Sequence, residues 1–123
     1  MRYALLLYAE PGADRDDQGA PPDGVHRNWV SYTQSMKDAG VVVAAERLRP
    51  VDTATSVRWR GGERLLTDGP FIETKEHLLG FYLVDVADLD AALDWAARMP
   101  LTRFGTVEVR PVHEGDAWRA VLD

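Results

Sequence analysis

Two segments of the chain are apolar at almost every position, and they set the expected architecture. Residues 3–8 read YALLLY, and residues 78–86 read LLGFYLVDV. Successive side chains of a β-strand point to opposite faces, so a strand with consecutive apolar residues is hydrophobic on both faces. Both segments are therefore predicted to be central strands of a sheet that is buried on either side.

A helical repeat follows the first of these strands. Apolar side chains recur at steps of four, three, four and three, at Val25, Trp29, Tyr32, Met36 and Ala39. This spacing predicts a single apolar stripe along an amphipathic helix. Asp23 is suited to cap the N-terminus of this helix, and Gly40 stands where helices commonly end.

A second helix is predicted for DLDAALDWAARM, which follows the other apolar strand. Asp88 provides the N-cap, and Pro100 stops the helix because proline lacks a backbone N–H and clashes with the preceding turn. The expected inner face of this helix consists of Leu89, Ala92, Leu93 and Ala96.

Four further segments have the composition of strands. They are residues 41–48 (VVVAAERL), 53–60 (TATSVRWR), 64–67 (RLLT) and 105–112 (GTVEVRPV). The glycine pair between the second and third of them predicts a hairpin over residues 55–67. The resulting order, β-α-β-(β-hairpin)-β-α-β, favours an α+β fold: a ferredoxin-like sheet with both helices on one face.

Two helices can cover only one face of such a sheet. The other face of the two central strands is also apolar, and a patch of that size is rarely left in water. A second copy that packs sheet to sheet with two-fold symmetry would bury it. A parallel sheet with helices on both faces would need more helical sequence than the chain contains. We therefore expect a homodimer.

The chain is predicted to form one domain over residues 1–112, followed by a C-terminal tail over residues 113–123. Residues 9–24, AEPGADRDDQGAPPDG, are rich in Pro, Gly and acids and are interpreted as a mobile loop. A loop of this length is either a plain connection or a lid over a site. The tail has no clear period, and its apolar side chains are expected to dock on the domain or on a neighbour.

Composition and charge exclude several classes of function for the chain. The chain of 123 residues has a net charge of −6 and a pI near 5.0, and no dense Lys/Arg cluster offers a surface for nucleic acid or for an anionic membrane. The sequence contains no cysteine, which excludes disulfides, thiolate nucleophiles and cysteine-ligated metals. The apolar run near the N-terminus is too short for a signal peptide or a membrane span, so a cytoplasmic location is expected.

Residues 68–77, DGPFIETKEH, concentrate ionisable groups between two apolar segments. Gly69 and Pro70 restrict the backbone that follows Asp68. The Asp68 carboxylate then has two interpretations: it accepts hydrogen bonds from backbone N–H groups of the turn, or it has a substrate-facing or catalytic role. Phe71 is expected to anchor the loop in apolar surroundings.

Glu73 and Lys75 also have two interpretations. Charges that pair in a solvated surface turn contribute little to stability. If either side chain points inward, burial would shift its pKa, and it could orient a ligand that bears a carboxylate or a hydroxyl group. Together with Phe71, these two residues are the predicted substrate-binding set.

His26 follows Val25 at the border of the apolar stripe on the first helix. It is either a helix-surface residue or an acid–base group, for which imidazole has the appropriate intrinsic pKa. His26 and Asp68 are the predicted catalytic pair. The histidines at positions 26, 77 and 113 do not have a metal-binding spacing, so neither a metal nor another cofactor is expected.

The stretch TDGPFIETKEHLLGFYLVDV, residues 67–86, closely resembles the DGPF-domain proteins of the YCII-related family. RYALLLY before it, and AALDWAARMP and VEVRPV after it, are similar to the same family, and the resemblance covers residues 1–8 and 40–112. It implies a dimeric α+β barrel. The chain departs from the family at His77, where Gln is commoner, and in the Pro/Gly-rich segment 9–24, where relatives carry more helix.

The resemblance implies less about activity, because most members of the family have no assigned reaction. Related YCII proteins are thought to use a His–Asp pair in a cleft, and some relatives of this fold perform lyase or isomerase chemistry. Members are often encoded beside extracytoplasmic-function sigma factors. Two functions are therefore expected: a cofactor-independent small-molecule enzyme or ligand binder with its cleft at the DGPF loop, or a non-catalytic accessory module associated with a sigma factor.

Overall fold

The computed structural model describes residues 1–13, 25–115 and 117–122, with the backbone alone at 25–27 and 118. Within this part of the chain, strands and helices follow one another in the predicted order, with additional short helical segments. The elements are β1 (Arg2–Ala9), α1 (Val25–Asp38), β2 (Val42–Arg47), a 3-10 helix (Val51–Thr53), β3 (Thr55–Arg60), β4 (Glu63–Asp68), β5 (His77–Asp85), α2 (Leu89–Ala97), a second 3-10 helix (Pro100–Arg103), β6 (Gly105–Pro111) and α3 (Ala117–Leu122).

The main sheet is antiparallel throughout and has the strand order β2-β5-β1-β6. This is the order of a ferredoxin-like βαββαβ fold, with the β3–β4 hairpin inserted between β2 and β5. The predicted α+β fold and its hairpin are therefore confirmed. β3 and β4 hydrogen-bond to each other as a separate two-stranded sheet. The pairing of two copies into a barrel stays a prediction.

One face of the main sheet packs against α1 and α2. Alternate residues of β1 are buried on this face, and Leu5 lies opposite Tyr82 of β5 in its centre. The helices, the sheet and the second 3-10 helix enclose one hydrophobic core. Its buried residues are Tyr3, Leu5, Leu7, Ala9, Tyr32, Met36, Tyr82, Val84, Val86, Ala92, Ala96, Met99 and Leu101.

The opposite face of the sheet, termed the open face, is apolar at its centre and acidic at its edges. Leu6 of β1 lies beside Phe81 of β5, and this pair is flanked by Glu46 on β2 and Glu108 on β6. Leu6, Phe81 and Leu83 are only partly buried, because α1 and α2 lie on the other face. The second apolar face predicted for the central strands is therefore present.

α1 ends at the predicted Gly40 in a Schellman motif. Gly40 has a φ of +70°, a left-handed conformation that glycine adopts without strain. Its amide donates to Lys37 O at 3.0 Å, and the amide of Val41 donates to Met36 O at 3.1 Å. These bonds satisfy carbonyls that the helix end leaves free. The predicted N-cap, Asp23, lies outside the described residues.

α2 begins at the predicted cap but buries a narrower face than expected. The carboxylate of Asp88 accepts a hydrogen bond from a backbone amide of the first turn at 2.9 Å. The expected inner face is correct at Ala92 and Ala96 and wrong at Leu89 and Leu93, which stay 46% and 44% exposed. The helix contacts the core through its short alanine side chains, so the leucines flank that contact.

The C-terminal tail contains α3, which the irregular pattern of the sequence did not predict. The tail starts beside β1, where the Val112 amide donates to Arg2 O at 3.0 Å and the Arg2 amide donates to Glu114 Oε1 at 3.1 Å. Val121 and Leu122 are exposed at the end of α3. The domain boundary at residue 112 stays a prediction. None of the helices in the described ranges is long and apolar enough to cross a membrane.

Replacing the fully buried Leu5 with Ala is expected to lower the free energy of unfolding by about 2–5 kcal/mol, because it removes apolar contacts and leaves a cavity. The matched control is Leu93→Ala on α2, with an expected change below about 1 kcal/mol. Urea unfolding followed by circular dichroism measures both. Equal losses for the two variants would contradict the position of the core.

Candidate functional site

The predicted DGPF loop is carried by the β3–β4 hairpin. Gly61 and Gly62 have φ values of 58° and 80°, the left-handed pair that a type I′ turn requires. Residues paired across the two strands share a face of the hairpin. The face termed the outer face bears Thr55, Val57, Trp59, Arg64, Leu66 and Asp68. The face termed the loop face bears Ser56, Arg58, Arg60, Glu63, Leu65 and Thr67.

The DGPF loop folds back along the loop face. The hydroxyl of Ser56 donates to Gly69 O at 2.8 Å, and the amide of Gly69 donates to Ala54 O at 2.7 Å. The guanidinium carbon of Arg58 lies 5.6 Å from the centre of the Phe71 ring, and its Nη2 is 3.4 Å from Phe71 O. The φ of +91° at Gly69 suits a glycine at this position. Hairpin and loop therefore form one unit.

The outer face has no such cover. Val57, Trp59 and Leu66 are 59%, 65% and 58% exposed. An isolated two-stranded hairpin is marginally stable in water, and its apolar side chains normally pack against another element. Among the described residues of one copy, none is seen to cover this surface.

Asp68 lies at the base of the outer face, paired with Thr55 at the end of β4. Its side chain is exposed. Within the described residues, the carboxylate accepts no hydrogen bond from a backbone amide, and the turn is held by Ser56 and Gly69 instead. The carboxylate is thus positioned at the surface beside an apolar patch. Its catalytic role stays a prediction.

Phe71 does not form the expected apolar anchor within one copy of the chain. Phe71 and the following Ile72 are 65% and 53% exposed, and the Phe71 ring is contacted by Arg58. A cation above an aromatic ring is attracted to the negative face of that ring, which orients Phe71 without burying it. The loop therefore presents two large apolar side chains to solvent.

The charged half of the loop is also exposed. Glu73 and Lys75 both face solvent, and the ion pair found in the described part of the chain joins the N-terminal amine to Asp85 rather than these two residues. The Thr74 hydroxyl donates to Glu76 O at 2.5 Å and holds the backbone of this segment in a turn. The binding roles of Glu73 and Lys75 stay predictions.

The three histidines lie in different parts of the structure. His26 is in the first turn of α1, but its side chain is outside the described part, so its pairing with Asp68 stays a prediction. His77 begins β5 opposite Ala9. His113 lines a surface hollow of about 230 Å³ together with charged side chains of β1 and the tail. The described residues bring together no group of three His, Asp or Glu side chains that could hold a metal.

An aromatic cluster under α1 was not predicted as a site. Trp29, Tyr32, Tyr82 and Trp95 meet with ring centres between 5.8 and 6.4 Å apart. The hydroxyl oxygens of Tyr82 and Thr33 lie 2.7 Å apart, and the Tyr32 hydroxyl donates to Trp95 O at 2.8 Å. Burial raises the pKa of both Tyr32 and Tyr82 above the ordinary tyrosine value. Both hydroxyls are therefore neutral near pH 7.

A shallow hollow of about 330 Å³ adjoins this cluster on the surface of α1. It is mostly apolar and is lined by Trp29, Val30, Thr33, Gln34 and Lys37. The hollow lies on a different element from the DGPF loop. The DGPF loop and this hollow are thus separate surfaces at which a small ligand could bind, and each contains one of the two lysines of the chain.

Comparison with known proteins shows the family of the chain. The family model described as the YCII-related domain matches residues 1–116 of the chain. The chain belongs to the YCII-related family. An uncharacterized protein of Rhizobium meliloti (strain 1021) is 39% identical over 116 residues, which cover 91% of this chain and 92% of the relative. Neither comparison assigns a reaction to this YCII-related protein.

Sequence reasoning missed the residues that hold the loop of this YCII-related protein in place. Ser56 and Arg58 alternate along β3 and so share the loop face. The alternation of Ser56 and Arg58 was visible in the sequence, but the face of the hairpin on which the loop packs was not. The Thr33–Tyr82 contact was also missed, although a tyrosine in a buried strand normally needs a hydrogen-bond partner.

Replacing Ser56 with Ala in this YCII-related protein is expected to loosen the DGPF loop, because Gly69 O loses its hydrogen-bond donor. Loss of one such bond corresponds to roughly 0.5–1.5 kcal/mol, so hydrogen exchange of the Gly69 amide should accelerate by about two- to tenfold. Asp68→Ala should change the exchange rate by less than about twofold, because its carboxylate makes no bond to the turn. A larger effect of Asp68→Ala would show that the Asp68 carboxylate also stabilises the turn and would contradict this interpretation.

The two buried tyrosines predict a loss of stability in alkali. The native state raises the pKa of Tyr32 and Tyr82 above 10.0, so it retains protons that the unfolded chain loses. Their contribution is fully present below pH 10 and is lost as the pH rises through the folded-state pKa, at a rate of about 1.4 kcal/mol per pH unit for each tyrosine. Urea unfolding between pH 9 and about 12 should show a shallower decline for Tyr82→Phe. An unchanged slope would contradict the burial of its hydroxyl.

Proposed function

We propose that this YCII-related protein is a homodimer that binds a small organic molecule at the DGPF loop. The observation that supports the proposal is the exposure of Phe71 and Ile72 beside ionisable side chains. Small-molecule sites combine apolar surface with a few polar groups that fix orientation. The loop supplies both kinds of group, and the Ser56 hydrogen bond gives it a fixed conformation.

The polar groups of the loop define the class of ligand. The Lys75 ammonium would attract a carboxylate, and the Glu73 carboxylate would accept a hydrogen bond from a hydroxyl group. Asp68 would orient the ligand, and His26 would act as general base. Removal of a proton next to an activating group, followed by elimination or isomerisation, requires one base and one orienting acid. That chemistry needs neither a metal nor another cofactor.

The homodimer is supported by the open face of the sheet. Leu6, Phe81 and Leu83 form an apolar centre there that α1 and α2 do not cover. Packing of two such faces around a two-fold axis would remove this apolar surface from water and would form a closed two-sheet barrel.

A second candidate function rests on the exposed charges of the same loop. Glu73 and Lys75 project into solvent next to two apolar side chains, and such a mixture also suits a protein surface. In this case the protein would be a non-catalytic accessory module that contacts an extracytoplasmic-function sigma factor.

The two lysines of the chain provide a matched test of the site. Small carboxylic and hydroxy acids are screened one at a time against the wild-type protein by thermal shift, and hits are measured by calorimetry. Lys75→Ala should weaken binding of a carboxylate by about tenfold or more, because it removes a charge-assisted hydrogen bond. Lys37→Ala, which changes the hollow on α1 instead, should leave the affinity unchanged.

Other outcomes decide between the candidates. If Lys37→Ala loses binding and Lys75→Ala keeps it, the ligand binds at the hollow on α1, which would contradict the proposal. A wild-type protein that binds no acid but forms a complex with a purified sigma factor from the same organism, seen by light scattering and lost in Lys75→Glu, would favour the accessory module. A monomer at micromolar concentration in size-exclusion chromatography would contradict the homodimer.

A further inference from the structure

The outer face of the hairpin is an apolar surface on an element that cannot bury it alone. Val57, Trp59 and Leu66 lie side by side there, each more than half exposed. Together they offer on the order of 300 Å² of apolar surface, as much as the largest patch on many monomeric proteins. Patches of this size usually mark a contact with another molecule.

The chain itself gives this face no cover within the described residues. The DGPF loop packs on the loop face, through Ser56 and Arg58. The strands of the hairpin pair with each other and form a sheet separate from the main one. The hairpin is therefore a separate two-stranded arm whose outer face is largely exposed.

Charges on the arm and on the open face are complementary. The hairpin carries Arg58, Arg60 and Arg64, and none of them takes part in an ion pair within the described part of the chain. Glu46 and Glu108 are likewise without an ion-pair partner there, and they occupy the two edges of the open face. Arg64 is the arginine that shares the outer face with the apolar side chains, next to Trp59.

The open face of a second copy therefore has both the apolar surface and the acidic side chains that would match the outer face of the hairpin. Its open face has an apolar centre, and its two edges are acidic at the level of Leu6 and Phe81. Arg110, on the neighbouring row of the same face, is the exception to this acidic edge. Opposite charges at the edge of an interface favour the correct partner and speed association.

We propose that the hairpin of each copy packs its outer face on the edge of the partner's open face, with Arg64 beside the partner's Glu46 or the partner's Glu108. This inference rests on the proposed homodimer and assigns a second contact to it, in addition to the contact between the two sheets. In a two-fold dimer the contact occurs twice, which doubles the surface that it buries.

The same contact would complete the candidate site. Asp68 stands at the base of the outer face, so the partner would form the wall opposite its carboxylate. Phe71 and Lys75, on the loop that follows Asp68, would line the solvent-facing mouth of the same cleft. The ligand-binding cleft would then lie between two copies, and a monomer would present only half of it.

Matched substitutions test the contact through the dissociation constant of the dimer, measured by sedimentation. Trp59→Ala and Arg64→Glu should each raise the constant by about tenfold or more, because one removes a large aromatic contact and the other places like charges together. The control, Arg60→Glu, lies on the loop face of the same hairpin and should change the constant by less than about twofold. Recombining Arg64→Glu with Glu46→Arg or Glu108→Arg should restore the dimer in one of the two pairs.

Cross-linking gives an independent readout that does not depend on weakening the contact. The chain has no cysteine, so Val57→Cys takes a single photoactivatable label. The labelled protein is mixed with a copy grown in nitrogen-15, and cross-links between light and heavy peptides are identified by mass spectrometry. Links from the light hairpin to heavy peptides of β1, β2, β5 or β6 are expected.

The outcomes separate this inference from the homodimer on which it rests. The contact would be overturned, and the homodimer left intact, by two results together. The dissociation constant of the dimer would be unchanged in Trp59→Ala and Arg64→Glu, and the cross-links of the hairpin would be confined to its own chain. A wild-type monomer would overturn both. Hairpin links to an added sigma factor in place of the second copy would assign the outer face to that partner and overturn the inference.

Discussion

The antiparallel pairing of β1 with β5 is the interaction on which the rest of the structure depends. Side chains alternate along both strands, so one register sends Leu5 and Tyr82 into the helix-covered core and sends Leu6 and Phe81 to the open face. Both sets are apolar, and the two helices can bury only the first. The same pair of strands therefore stabilises the single chain and leaves a second apolar face that the two helices do not cover.

The insertion of the hairpin between β2 and β5 keeps its exposed side chains apart from the hydrophobic core. The core lies wholly between the main sheet, the helices and the second 3-10 helix, and the hairpin contributes nothing to it. Substitutions of exposed residues on the arm are consequently expected to cost the fold little stability. This division explains why the DGPF loop lies beside a central strand and yet consists largely of exposed residues.

Much of the fold was readable from the sequence because local and tertiary signals agree. The glycine turns, the Asp88 cap and the two-sided strands all correspond to observed features. The inner face of α2 was partly misread because periodicity does not reveal that the helix approaches the sheet through alanines. The site was less predictable: Asp68 could be placed at a turn, but only the strand pairing shows which face of the hairpin it occupies.

The turn at Gly61–Gly62 has two residues, so the number of positions from the turn decides which face of the hairpin a side chain occupies. Counting from the turn, Asp68 is the sixth residue of β4, an even number of positions from Leu66 and Arg64, and this places all three on one face. Adding one residue to each strand would turn the carboxylate to the opposite face relative to the turn, whereas adding two residues to each strand would preserve its direction and lengthen the arm. The strands of the hairpin in related chains are therefore expected to differ in length by even numbers of residues. The length of the hairpin then indicates whether the residue at its base keeps its face, even where the residue itself has changed.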